Sequence, residues 1–165
     1  MSRVSCLVIA LVVAGCTQRQ LGFPRIGARV VSPNGEMTAF VGNHLAVDPP
    51  AQSLRLATDG RELELERLGE DADWCNDIVW DASSRFVVFL VQDARAVVFT
   101  AGGRRVFDEW LVERDGYPTS HEIRRLRFDD RAESLVFVEC VRPTRNDSAR
   151  DRSCSPERRV RIPAL

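Results

Sequence analysis

Thiols and imidazoles are the side chains here best suited to covalent, metal or acid–base chemistry, and they are few: Cys6, Cys16, Cys75, Cys140 and Cys154, with His44 and His121. A zinc site or a nucleophilic dyad needs such groups at short, fixed spacings. The chain has no Cys-x-x-Cys, paired-His element, Gly-x-Ser-x-Gly elbow, phosphate-cradling loop or dinucleotide fingerprint. His44 falls in Gly42-Asn43-His44 and His121 in Pro118-Thr119-Ser120-His121, so both read as loop histidines. A Ser-His-Asp set assembled only in space is the alternative. The acidic run from Glu70 to Asp77 offers hard oxygen ligands for calcium, yet it lacks the central Gly and distal Glu of an EF-hand and reads as a solvated linking loop. No catalytic residue, metal ligand or cofactor is expected.

The cysteine that does sit in a pattern is Cys16. Met1-Ser2-Arg3 leads into the apolar run Val4 to Ala14, which stops at Val13-Ala14-Gly15-Cys16 before the polar Thr17-Gln18-Arg19-Gln20. A spanning helix needs about 20 apolar residues, and this run is too short for one. The segment resembles a bacterial lipoprotein signal peptide closed by a lipobox; an ordinary secretory signal with Cys16 incidental is the competing reading. The resemblance implies a signal peptide over 1–15, cleavage between Gly15 and Cys16, and a diacylglyceryl group on the Cys16 sulfur. Residues 16–25 would then be a lipidated tether of at most about 30 Å beyond Cys16. The protein would be exported and held on a membrane by lipid, with Thr17 implying the periplasmic face of the outer membrane in a host with two membranes.

Export sets the reading of the other thiols. Cys6 leaves with the signal, so Cys75, Cys140 and Cys154 remain where disulfides persist, and an odd number allows one internal bridge. Cys140 lies on the apolar run Leu135 to Val141, and Cys154 follows the polar loop from Arg142 to Ser153. A Cys140–Cys154 bridge would close a loop of roughly 15 residues and contribute about 3 kcal/mol by chain entropy. Cys75, beside Trp74, reads as a buried free thiol.

The elements that must carry these groups are short strands. Ser32-Pro33-Asn34-Gly35, Asp81-Ala82-Ser83-Ser84 and Asp129-Asp130-Arg131-Ala132 each separate two apolar runs, and they recur every 48 to 49 residues. Phe40, Phe89 and Phe137 stand eight residues after the first residue of each turn. The first two units continue into a second hairpin, through Asp59-Gly60 and Gly102-Gly103, pairs suited to positive φ. Val, Phe and Ile dominate the runs and turn residues interrupt them, so helix is not expected beyond the signal. The stretch Ser32 to Phe40, followed by Leu54 to Gly60, resembles the TolB-type (WD-like) β-propeller repeat, in three copies of which the third is partial.

That resemblance implies an all-β fold of short antiparallel β-meander repeats over 26–165, forming one domain. Closed propellers have four to eight blades, so an incomplete propeller-like arc is expected, with a β-sandwich as the alternative. Trp80, Trp110 and the phenylalanines read as core rather than as a ligand platform. All 23 basic residues are Arg, and the formal charge of −1 becomes about −2 without Arg3, which gives nucleic acid no net field to bind. Arg142, Arg145, Arg150 and Arg152 could meet anionic headgroups, but Asp147 and Asp151 are interleaved and favour a solvated loop. The expected function is a membrane-anchored, non-catalytic protein-interaction or scaffold module of the cell envelope, whose partner is an envelope protein or a second copy. A small-ligand or glycan-binding module, and more remotely an envelope hydrolase, are the alternatives.

Overall fold

The computed structural model describes residues 29–44, 51–69, 75–112, 121–141 and 153–163. Eleven strands and no helix make up these residues, in three antiparallel sheets. The first sheet is the meander β1 (Arg29–Val31), β2 (Met37–His44), β3 (Ala51–Thr58) and β4 (Arg61–Arg67). The second repeats it with β5 (Cys75–Trp80), β6 (Phe86–Val91), β7 (Arg95–Thr100) and β8 (Arg105–Trp110). The third holds β9 (His121–Phe128), β10 (Ser134–Val141) and β11 (Arg158–Arg161), in the order β11-β10-β9. It has the first three strands of the repeat and no fourth among the described residues.

The three repeat turns close by one chemical device. The Asp81 carboxylate, nearly fully buried, accepts from the Phe86 amide at 2.6 Å, the Ser83 amide at 3.1 Å and the Ser83 hydroxyl. Asp129 accepts from the amides of Glu133 at 2.9 Å and Ser134 at 3.2 Å. In the first repeat Ser32 takes the place of the acid, and its hydroxyl accepts from the Met37 amide at 3.0 Å and donates to Asn34. At the second hairpin Asp59 and Gly60 both have positive φ, 45° and 75°, as a type I′ turn requires.

Alternation along the strands stacks the sheets in chain order. On β6, Val87, Phe89 and Val91 join Ala39, Val41, Leu54 and Leu56 of the first sheet in one core. Phe86, Val88 and Leu90 join Ile123, Leu126, Phe128, Leu135 and Phe137 of the third in a second core. All six residues of β6 are buried, which explains its unbroken apolar sequence: a strand covered on both faces has no polar side to show. Neither core contains residues of both the first and the third sheet, so the stack is an incomplete propeller-like arc, not a ring.

The repeat also fixes which residues face which neighbour. The residue before each turn and the phenylalanine eight residues into it point toward the preceding sheet. Trp80 and Phe89 pack on the first sheet, and the Trp80 indole donates to the Val30 carbonyl at 3.0 Å. Phe128 and Phe137 pack on the second, with Phe128 6.4 Å from Phe86. The matching pair in the first sheet is Val31 and Phe40.

Three readings of the sequence change. His44 and His121 are not in loops: His44 ends β2, paired with Ala51, and His121 opens β9, paired with Val141. Continued ladder pairing absorbs both. Cys75, Asn76 and Asp77, assigned with Glu70 to a linking loop, instead begin β5, because Cys75 pairs with Val91 and its side chain enters the core.

Candidate functional site

The expected signal peptide at 1–15, Cys16 and the expected tether at 16–25 lie outside the described residues, as do Trp74, residues 70–73 of the acidic run, and the arginines at 142–152. The Cys140–Cys154 bridge is present, tying β10 to the segment that leads into β11 across a sequence separation of 14. A single backbone bridge between the same two residues, and the Val141 amide donating to Ser153, continue the ladder there. Spacing had identified this pair.

Among the described residues Cys75 is the free thiol, and it is buried. Burial pushes its pKa well above the usual thiol range, and its Sγ–H donates to the Asp77 carbonyl at 3.3 Å. A neutral, enclosed thiol is neither nucleophile nor metal ligand. The two described tryptophans are likewise committed to packing: Trp80 is buried and Trp110 lies half-buried against the second core. His44 and His121 belong to different sheets. No cluster of three His, Cys, Asp or Glu among the described residues could hold a metal ion.

What the spacing did not reveal is an ionic joint between the first two sheets. Arg95 on β7 makes a forked contact with Asp108 on β8, both bonds at 2.7 Å, and reaches Glu66 on β4 at 3.1 Å. Arg105 contacts the same two carboxylates, Glu66 at 3.2 Å and Asp108 at 3.1 Å. The Asp108 hydrogen bond, against the opposing effect of burial, drives the Arg95 pKa up from its already high value, with Glu66 adding to the rise. Two cations and two anions balance, so the joint fixes the sheets together and leaves no spare charge to act on a substrate. Arg105 and Asp108 are three residues apart, but the other pairs of the joint are separated by 13 to 39 residues, beyond any local motif.

Two surfaces among the described residues could engage another molecule. One is the outer face of the first sheet. There Arg29 lies 4.4 Å from the centre of the Phe40 ring, and the Arg55 side chain crosses Gly42 so closely that a Cβ would meet its Nε at 2.5 Å. Ser53, Glu62 and Glu64 hold Arg55 there. Val31, at the position where Trp80 and Phe128 bury themselves in a neighbour, is 58% exposed.

The other is a cleft of about 330 Å³ between the β3–β4 and β7–β8 hairpins. Met37, Leu56, Thr58, Leu63, Ala101 and Gly102 line it, with Arg61 and Glu62 at its rim. Gly103, at φ 85°, allows the β7–β8 hairpin to rest on Leu63, where a Cβ would come within 2.4 Å of Leu63 Cδ2. Leu63 is nevertheless 48% exposed.

No protein-family model matches the chain, and no curated protein matches it. Among solved structures it is similar to one described as oligogalacturonate lyase in complex with manganese, at 12% identity and a TM-score of 0.47. The likeness covers 72% of this chain and 36% of that one, so the chain spans about a third of the lyase. A likeness of this extent carries neither activity nor ligand to this chain.

Proposed function

We propose that this chain is a lipid-anchored envelope protein that docks a protein partner close to the membrane and does so without catalysis. The lipid on Cys16 would hold the chain to the membrane, at the periplasmic face of the outer membrane where the host has two. The β-body would present the outer face of its first sheet.

The observation that carries the docking role is Val31. Its counterparts Trp80 and Phe128 are buried against a preceding sheet, whereas Val31 is exposed on a face built to the same repeat. A partner supplying an apolar side chain there would reproduce the contact that the chain makes twice within itself. The cations and carboxylates around it, Arg29, Arg55, Glu62 and Glu64, would form the polar rim common to such interfaces.

In-cell crosslinking of the tagged full chain, followed by mass spectrometry of captured proteins, tests this reading, with Cys16→Ala as the unlipidated control. An envelope protein captured by the lipidated form alone is the expected result. Equal capture by Cys16→Ala would remove the anchor from the account, and capture of nothing would remove the partner.

A further inference from the structure

We propose that the cleft between the first two sheets binds a single-chain carboxylate amphiphile, a fatty-acid-like ligand, independently of the docking role above. Its size is at the lower end of small-molecule sites. Its walls are Met37, Leu56, Leu63 and Ala101, with the Thr58 hydroxyl as the one uncharged polar side-chain group. A sugar would have to leave most of its hydroxyls without partners against such walls, whereas an alkyl chain leaves none. Leu63, half in water without a ligand, is a residue that such a chain would cover.

The charge at the rim decides the headgroup. Alternation along β4 separates its side chains into two sets. Glu62 and Glu64 turn outward to Arg55, at 3.3 and 3.2 Å, and Arg67 stands 3.3 Å from Glu64, so two cations answer the two carboxylates. Arg61 and Leu63 share the opposite side, toward the cleft. The Arg61 guanidinium has no hydrogen-bond or ion-pair partner among the described residues. An apolar cleft with a cation at its mouth that no described residue answers fits a molecule with an apolar chain and one anionic end.

Gly102 supplies a way to fill the cleft without disturbing the fold. Its φ is not positive, and a Cβ there would meet only Thr100 Oγ1, at 3.8 Å. The test uses full chain purified from membranes, reconstituted in phosphatidylcholine nanodiscs and irradiated with a diazirine analogue of palmitic acid. Labelled peptides are then mapped by mass spectrometry. Label is expected on peptides containing Leu56, Leu63 or Ala101, with palmitic acid competing about fivefold better than cetyl alcohol, as befits one exposed ion pair. Gly102→Leu should cut the label by about tenfold at an unchanged unfolding midpoint. Arg61→Gln should erase the preference for acid over alcohol while keeping the label. Label spread evenly over the chain, or undiminished by Gly102→Leu, would overturn the site. Equal competition by the alcohol in the unmodified chain, or a preference that survives Arg61→Gln, would overturn the choice of an anionic ligand.

Discussion

Phe89 and Phe40 hold the same place in successive repeats and meet opposite surroundings. Phe89 is fully buried on the middle sheet, edge-on to Phe99 at 6.0 Å, with Val97 as its cross-strand partner. Phe40 also has little exposure, but its cross-strand partner is Arg55 and an arginine, Arg29, lies over its ring. The middle sheet is covered on both faces by other sheets, so every neighbour-facing position on β6 is apolar. Among the described residues the first sheet has a sheet on one face alone, and its other face is finished with arginines whose alkyl stems lie along apolar surface while their charges reach water and carboxylates. One repeat pattern thus yields a core or a polar closure according to what stands beside it.

The contrast is sharpest in stability. Phe89→Ala should lose about 4 kcal/mol in chemical denaturation, because the enclosed site cannot collapse onto the gap. Phe40→Ala should lose about 2 kcal/mol, since flexible arginine stems can settle into the space. Equal losses would break the distinction between the two faces.

The third sheet extends the comparison, since a covalent link ties β10 to the segment leading into β11. Removing it with Cys140→Ser and Cys154→Ser should cost about 3 kcal/mol, measured as a fall in the unfolding midpoint. No change would mean that the backbone ladder and the burial of Ile162 in the second core already hold β11.

A finer probe is Trp80→Phe, which keeps an aromatic ring between the first two sheets and deletes the bond to the Val30 carbonyl. A loss of about 1 kcal/mol is expected by thermal unfolding. A loss near that of Phe89→Ala would assign the joint to packing volume.

The smallest effect belongs to Cys75 and depends on pH. Burial raises the folded pKa of the thiol above its ordinary value of 9.0, so the folded state keeps its proton after the unfolded state has begun to lose it. Stability from this source is complete below pH 9.0 and declines as pH rises, by about 1 kcal/mol at pH 9.5. Denaturation midpoints of the chain and of Cys75→Ala, compared from pH 7 to pH 9.5, should converge at the alkaline end. Parallel curves would place the thiol in contact with water.

Much of this architecture was legible in the residues. The three turns at Ser32, Asp81 and Asp129, the phenylalanines eight positions on, and the Asp59-Gly60 and Gly102-Gly103 hairpins gave the sheets, because each rests on local chemistry. The Cys140–Cys154 bridge followed from an apolar strand and a polar loop close in sequence. What escaped was non-local. The Glu66–Arg95–Asp108–Arg105 joint, Arg55 lying across Gly42 and the cleft beneath Leu63 all arise where separate hairpins meet, and no spacing encodes them. The bulge between Val136 and Val138, opposite Arg125 at φ 53°, was invisible for the same reason: its backbone conformation is set by ladder pairing, not by residue type.

The account stands most directly on the open face of the first sheet. Full chain carrying a photoreactive amino acid at position 31, or at position 88 inside the second core, would be irradiated in cells, with and without Cys16→Ala. The expected result is a discrete adduct with an envelope protein from position 31 in the lipidated chain, and none from position 88. Adducts absent at position 31, equally strong at position 88, or unchanged by Cys16→Ala would contradict it.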